Sequence, residues 1–433
     1  METSLLYKYF LECGKVTTDT RDCTEGSMFI ALKGANFNGN AFASQAIAGG
    51  CRYAVVDEAE YANDEEGRIL LVDDCLKALQ ELAAWHRREL GTKMIGITGT
   101  NGKTTTKELI AAVLKEKYNV LYTQGNLNNH IGVPMTLLKL TPEHEMAVVE
   151  MGANHPGEIK TLVNISCPDY GIITNVGKAH LEGFGSFEGV IRTKGELYDY
   201  LRANGGKIFI QNENPYLNSI AEGLECIRYG AEDGLYVSGN VLSCSPFLTF
   251  SWKSEDKVHE VQTHLIGSYN VDNALAAVAI GRYFGVDDDA ICHALSSYEP
   301  RNNRSQLVEA GGSRFVIDAY NSNPTSMAAA LENFRMIDAG HKMVILGDMK
   351  ELGEASLEEH QKVADMLAGC GFDRVILVGP EFGKTVNAFE HFNNADEVYS
   401  VLSSGMPKGY MILIKGSNSM KLAGLAEKLM KLL

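Results

Sequence analysis

The stretch ITGTNGKTTTK, residues 97–107, constrains this chain more than any other. It follows a short apolar run, Met94 to Ile97, that reads as a buried strand. After it, the segment from Lys107 to Tyr118 places Leu109, Ile110, Val113 and Leu114 on one helical face. Strand, glycine turn and helix form the setting of a phosphate-binding loop. Free backbone N–H groups of Gly99, Thr100, Asn101 and Gly102 at the helix start would face phosphate oxygens. Lys103 would offset the outer phosphates, and the hydroxyls of Thr104 and Thr105 would serve Mg²⁺ and phosphate. The spacing departs from G-x-x-x-x-G-K-[ST]: Ile97 occupies the first glycine position, and Gly96 and Gly99 flank it. The plainer alternative is an ordinary strand–helix turn.

A second stretch, GPEFGKT at 379–385, also follows an apolar strand. Its glycines are one residue closer together, and Pro380 removes an N–H from any cradle. It reads as an ordinary connection that imitates the motif.

At 433 residues the chain exceeds one ordinary core, so two or three domains are expected. A net charge of −16 without a long basic stretch argues against general affinity for nucleic acid or anionic membranes, so no nucleic-acid partner is expected. Nine scattered cysteines, with no C-x-x-C pair, suggest reduced thiols and a cytoplasmic setting. The first residues lack a secretion signal's pattern. No run approaches the roughly 18 apolar residues of a membrane span, so an integral membrane protein is not expected.

The fold class expected is α/β in three units. Residues 1–90 form a small α/β unit with strands in SMFIALKG and CRYAVVDE. Residues 91–300 alternate strand and helix patterns, with strands at 120–122, 146–150, 170–174 and 207–210, which argues for a doubly wound, mostly parallel sheet. A strand-rich stretch at 226–266 and the helix NVDNALAAVAIGRYFG follow. The polar segment SYEPRNNRSQ (297–306) reads as a linker into a Rossmann-like third unit, 301–433.

Ligands of such sheets sit at the carboxyl ends of the strands. Glu150 ends one strand and could hold Mg²⁺ or be a solvated loop acid. His180, in TNVGKAHLEGFGS, reads from spacing alone as a structural or surface histidine, and Lys194 as a surface lysine. Asn128 and Asn129, in GNLNNHIGVP, suit either a polar ligand or a self-satisfied turn. DAYNSNP and GDMKELGE end strands of the third unit.

Together, GTNGKTTTKEL, GNLNNHIGVPMTLL, VVEMGANHPGEI, NVGKAHLEGFGS, TKGEL, NVDNALAA, DAYNSNPTSM and LGDMKELGE resemble the Mur ligases of bacterial cell-wall synthesis. The resemblance spans nearly the whole chain, since TTDTRDCTEGSMFIALKG also matches. GNLNNHIGVP with DAYNSNP points to the branch joining D-Ala-D-Ala to UDP-N-acetylmuramoyl-tripeptide. That resemblance implies a cytoplasmic ligase, expected to be a monomer, whose three domains hold the UDP-sugar, hold ATP, and close over both. It implies an acyl phosphate made from ATP and the substrate carboxylate, with two Mg²⁺ ions. Glu150, His180 and a carbamylated Lys194 match the family's metal-holding positions, with Thr104 on the other ion. Asn270 and Asn273 match adenine contacts, Arg304 a phosphate contact and Asp318 a ribose contact. Asn128, Asn129, Thr20 and Arg21 match contacts to the UDP-muramoyl-peptide.

Three positions depart from the family pattern: Asn38 lies where acidic-Gly-His is common, Tyr269 where histidine is frequent, and Asn418 where arginine is usual. The rival readings are another amide ligase such as folylpolyglutamate synthase, whose ATP loop lies nearer its start, and a nucleotide-gated binding protein.

Overall fold

The computed structural model describes residues 1–63, 66–254, 257–301 and 304–433. The anticipated linker at 297–306 therefore lies partly outside the described residues, at 302 and 303. Three α/β layers carry the architecture, each on its own main sheet.

The first sheet is parallel and runs Val16–Thr17, Met28–Ile30, Tyr53–Val56 and Ile69–Leu71. The helix Cys75–Leu90 leads out of it. Asp74 caps its start by accepting from Lys77 N at 2.8 Å, and Gly91 ends it in the left-handed conformation, φ 63°. Leu79 and Leu82 of this helix share one hydrophobic core with Val133, Leu137 and Leu162 of the central layer.

The central sheet has nine strands, with Lys93–Thr98 third from one edge, between Met146–Glu150 and Tyr170–Ile173. All three are parallel, and the registers Ile97↔Glu150 and Thr98↔Ile173 bring their carboxyl ends level. The sheet is mostly parallel as expected, and its far edge adds the antiparallel strands Val237–Cys244, Phe247–Ser254 and Lys257–Ile266. On one face the helix Lys103–Lys115 packs against Asn270–Tyr283, an alanine-rich helix buried almost all round. Gly281 permits that approach: a Cβ there would sit 2.4 Å from Val113 Cγ1.

The third sheet runs Gln306–Ala310, Ser313–Asp318, Met411–Lys415, Lys342–Gly347, Arg374–Val378 and Glu390–Phe392. Only its first pair is antiparallel. It has cores on both faces, one of which also takes in Ile266. Among the described residues no helix is long and apolar enough to cross a membrane.

Candidate active site

The loop after Thr98 is shaped by two glycines. Gly99 has φ 141°, and a Cβ there would lie 2.1 Å from Thr174 Oγ1. Gly102, at φ 77°, caps the helix, and a Cβ would meet Asn273 Oδ1 at 2.7 Å. The next strand end fastens the loop: Asn101 N donates to Asn175 Oδ1 at 3.0 Å, and Thr174 Oγ1 donates to Asn101 O at 2.6 Å. Lys103 Nζ donates to the carbonyls of Gly99 and Thr100 at 2.8 and 2.9 Å. Burial pulls its ammonium down to about 8, against the opposing pull of Glu150 and with a small contribution from Arg304.

Glu150 is only 1% exposed, and both of its oxygens are engaged. Thr104 Oγ1 donates to Oε2 at 2.8 Å, and Asn128 Nδ2 donates to Oε1 at 2.9 Å. This buried carboxylate beside a loop hydroxyl is no solvated loop acid. The oxygen pair fits a hard cation such as Mg²⁺ whose remaining ligands are phosphate oxygens and water. Among the described residues no three His, Cys, Asp or Glu side chains cluster as a metal site. Behind the carboxylate, Lys107 is wholly buried, donates to Thr123 O and pairs with Glu108. Thr123 Oγ1 in turn accepts from Glu150 N at 2.9 Å, so the strand end is fixed from below.

Lys194 is not a surface lysine. It is 2% exposed on the helix Phe187–Asn204, with Nζ 3.3 Å from Ala153 O and 5.2 Å from the Phe184 ring centre. Burial, then the charge of Lys103, pushes its amine down to about 7. His180 adopts φ 50°, and its Nδ1 lies against Glu351 Oε2 of the third layer. That contact draws the Glu351 carboxyl below its usual range.

A cleft of about 1110 Å³ opens between the central and third layers. It is lined by residues 100–105, Asn128, Asn129, Glu150, His180, Asn270, Asn273, Arg304 and Asp318. Asn273 accepts from Thr106 Oγ1 at 2.9 Å and donates to Asn270 Oδ1 at 2.8 Å, so both asparagines are fixed beside the loop. The Arg304 guanidinium stacks 3.9 Å over Tyr320, and Lys415 Nζ donates to Asp318 Oδ2 at 2.6 Å. Asn323 Nδ2 donates to Asn101 Oδ1 at 2.7 Å, joining the third layer to the loop.

Other expected residues lie elsewhere or have local work. Thr20 and Arg21 form a short turn away from this cleft, and Arg21 pairs with Asp19 at 2.6 Å on the surface. The first layer reaches the cleft through Leu76 and Gln80. Asn129 Oδ1 accepts from Ile131 N and Gly132 N, closing its own turn. Asn38 is held by Glu58, and Tyr269 by Ser305 at 3.1 Å on the cleft wall. Asn418 begins a short turn after the Met411–Lys415 strand. At the imitating motif, the N–H groups of Glu381 and Phe382 donate to the Asp348 carboxylate at 3.1 and 3.0 Å, so no phosphate cradle is free.

Sequence reasoning missed Asn175, Asn323 and Lys415. The lysine closing the apolar run YMILIK was the visible signal for Lys415, since its parallel partner in register is Asp318.

Fold and cleft define a three-layer α/β protein whose phosphate loop faces a cleft walled by a second layer. Residues 13–87 match the family model described as Mur ligase family, catalytic domain. Residues 97–281 match the Mur ligase middle domain, and 303–418 the Mur ligase, glutamate ligase domain. The UDP-N-acetylmuramoyl-tripeptide--D-alanyl-D-alanine ligase of Bacillus subtilis (strain 168) is 35% identical over 96% of this chain and 93% of its own. A crystal structure of MurF from Acinetobacter baumannii matches with a TM-score of 0.88 at 30% identity, covering 99% of this chain and 98% of that one. MurF ligase from Thermotoga maritima, solved in complex with ADP, matches with a TM-score of 0.86 at 27% identity, covering 98% of both chains. This chain belongs to the Mur ligase family.

Proposed function

We propose that the chain is an ATP-dependent carbon–nitrogen ligase of cytoplasmic peptidoglycan synthesis. It joins D-alanyl-D-alanine to UDP-N-acetylmuramoyl-tripeptide and acts as a monomer. The relatives named for that activity support the reading over nearly the full chain, as does the ADP-bound neighbour. The observation that carries it is the convergence of Lys103, the Thr104–Glu150 pair, Arg304 and Asp318 on one cleft. In this reading residues 1–90 hold the UDP-sugar, 91–300 hold ATP and 301–433 close over the nucleotide.

The tripeptide's terminal carboxylate oxygen attacks the γ-phosphorus, the bond to the β–γ bridging oxygen breaks, and ADP leaves. The D-Ala-D-Ala amine then attacks the acyl-phosphate carbonyl carbon, loses its proton, and the C–O bond breaks to release phosphate. Two like charges must meet in the first step, so Lys103 and Arg304 stabilise charge that water would otherwise screen. The N–H groups at the helix start, from Gly102 to Thr105, orient the phosphates, while those of Thr100 and Asn101 are held by Asn175 and fix the loop. Asn270, Asn273 and Asp318 hold the nucleoside. Thr104 and Glu150 would hold one Mg²⁺; His180 and Lys194 would complete a second position with Glu150. Bound Mg²⁺ supplies charge neutralisation. The neutral amine of Lys194 adds to CO₂ and releases one proton, which leaves an oxygen-bearing anion where the protonated side chain would be a cation. Asn128, with Asn129, Thr20 and Arg21, faces the UDP-substrate in this reading.

Mass spectrometry of the reaction tests it. The expected product has the mass of the UDP-tripeptide plus D-Ala-D-Ala less one water, with one ADP and one phosphate per amide. ADP formed without that product would overturn the proposal.

A further inference from the structure

The first layer carries a feature that the ligase chemistry does not use. Cys51 Sγ lies 3.0 Å from Cys23 Sγ and 3.1 Å from Ser27 Oγ. Among the described residues no other two thiols are in hydrogen-bond contact. Cys13 instead donates to Tyr9 O, Cys167 to Asn164 O, and Cys370 to Met366 O. The backbones carrying the pair are already joined: Gly26 N donates to Gly50 O at 3.0 Å, and Arg52 N donates to Ser27 O at 2.7 Å. A Cβ on Gly49 would lie 3.4 Å from Cys23 Cβ, so the two turns approach to within the reach of one methyl group. Cys51 is buried, whereas Cys23 is partly exposed at the end of the turn Thr20–Asp22.

We propose that Cys23 and Cys51 are a peroxide-sensitive dithiol that closes to a disulfide between the two turns. A hydroperoxide attacks at the accessible Cys23 sulfur: its O–O bond breaks, an S–O bond forms, and water or an alcohol leaves. The sulfur of Cys51 then displaces that oxygen, the S–S bond forms, and the oxygen departs as water with the Cys51 proton. Burial first, and then the neighbouring thiol, lifts the Cys23 thiol to about 12. Closure is therefore slow beside that of a low-pKa redox sensor and calls for sustained peroxide. The bond would tie Thr20 and Arg21, through Cys23, to the Gly49–Gly50 turn. If the first layer holds the UDP-sugar, as proposed above, oxidation raises the KM for that substrate and spares the phosphate loop.

The test does not depend on activity. The native chain is treated with hydrogen peroxide, alkylated and digested with trypsin, which cuts after Arg21, Lys33 and Arg52. The expected result is a linked pair of peptides, 22–33 with 34–52, that is abolished by dithiothreitol and absent from Cys51→Ala and from Cys23→Ser. Circular dichroism of both variants separates loss of the link from loss of the fold, and the half-buried Cys23 position tolerates exchange best. Either of two results overturns the proposal: Cys13 linked to one of these thiols in place of the pair, or even loss of all nine thiols without the linked peptides. Formation of the link with an unchanged KM would sustain the dithiol and count against the placement of the UDP-sugar.

Discussion

A lysine sealed among carbonyl and aromatic groups resists protonation, and Lys194 gives that rule a measurable sign. Its amine is pulled to about 7 in the folded chain and returns to an ordinary lysine value near 10.5 when unfolded. Between those values the unfolded chain binds more protons, so the native state gains stability as pH rises, by about 1.4 kcal/mol per pH unit at most. Below pH 7 both states are protonated, and the cost of the buried charge is fully present. In CO₂-free buffer, where the amine is unmodified, Lys194→Met should remove this slope. The stability gap between the variant and wild type, read from urea unfolding at pH 7 and pH 9, should move in favour of wild type at the higher pH. Parallel curves would contradict a depressed amine. From the sequence Lys194 reads as a surface residue, because helical spacing does not reveal which face the sheet covers. Glu150 was easier to read, since an acid ending an apolar run has few places to point except the strand-end crevice. His180 was the hardest: its partner Glu351 is 171 residues away in sequence and comes from another layer.

At the scale of elements, the central strands were legible because β-branched apolar runs bounded by turns leave little choice. Val120–Tyr122 and Met146–Glu150 have the expected bounds. The loop helix starts at Lys103, four residues before its apolar periodicity, because Gly102 caps it and the threonines of its first turn are spent on partners. Thr104 serves Glu150 and Thr106 serves Asn273, and neither contact leaves a local trace in the sequence. The edge strands Val237–Cys244, Phe247–Ser254 and Lys257–Ile266 were legible only as a strand-rich tract, since their register depends on pairing between strands. Gly281 ties this layer together. Gly281→Ala should force Val113 aside and cost about 1–3 kcal/mol, because overpacking strains a closed core. Thermal unfolding reads it directly, and a Tm equal to or above wild type would show that the two helices have slack. The GPEFGKT turn shows the limit of motif reading, since its N–H groups are taken by Asp348, which lies 31 residues before the motif.

On the whole-molecule scale the first layer shares its core with the central sheet, whereas the third is packed mainly on its own two cores. Polar pairs join the third layer to the loop region: Asn101 with Asn323, Lys178 with Glu359, and His180 with Glu351. Such contacts cost little to break and remake, so the third layer is the part expected to move. With nucleotide and UDP-substrate present, small-angle scattering should report a smaller radius of gyration than for the chain alone. Superimposable profiles would exclude closure in solution. The net charge of −16 makes a polyanionic substrate unwelcome over most of the surface, which leaves Lys103, Arg304 and Lys415 to supply attraction at the cleft.

The most direct measurement is coupled phosphate release with ATP, Mg²⁺, UDP-N-acetylmuramoyl-tripeptide and D-Ala-D-Ala, each omitted in turn, beside Lys194→Ala. Turnover should require all four, and the variant should fall by at least about 100-fold, the scale on which preorganised charge acts in a transition state. Phosphate release at an unchanged rate without D-Ala-D-Ala, or a variant as fast as wild type, would contradict the account.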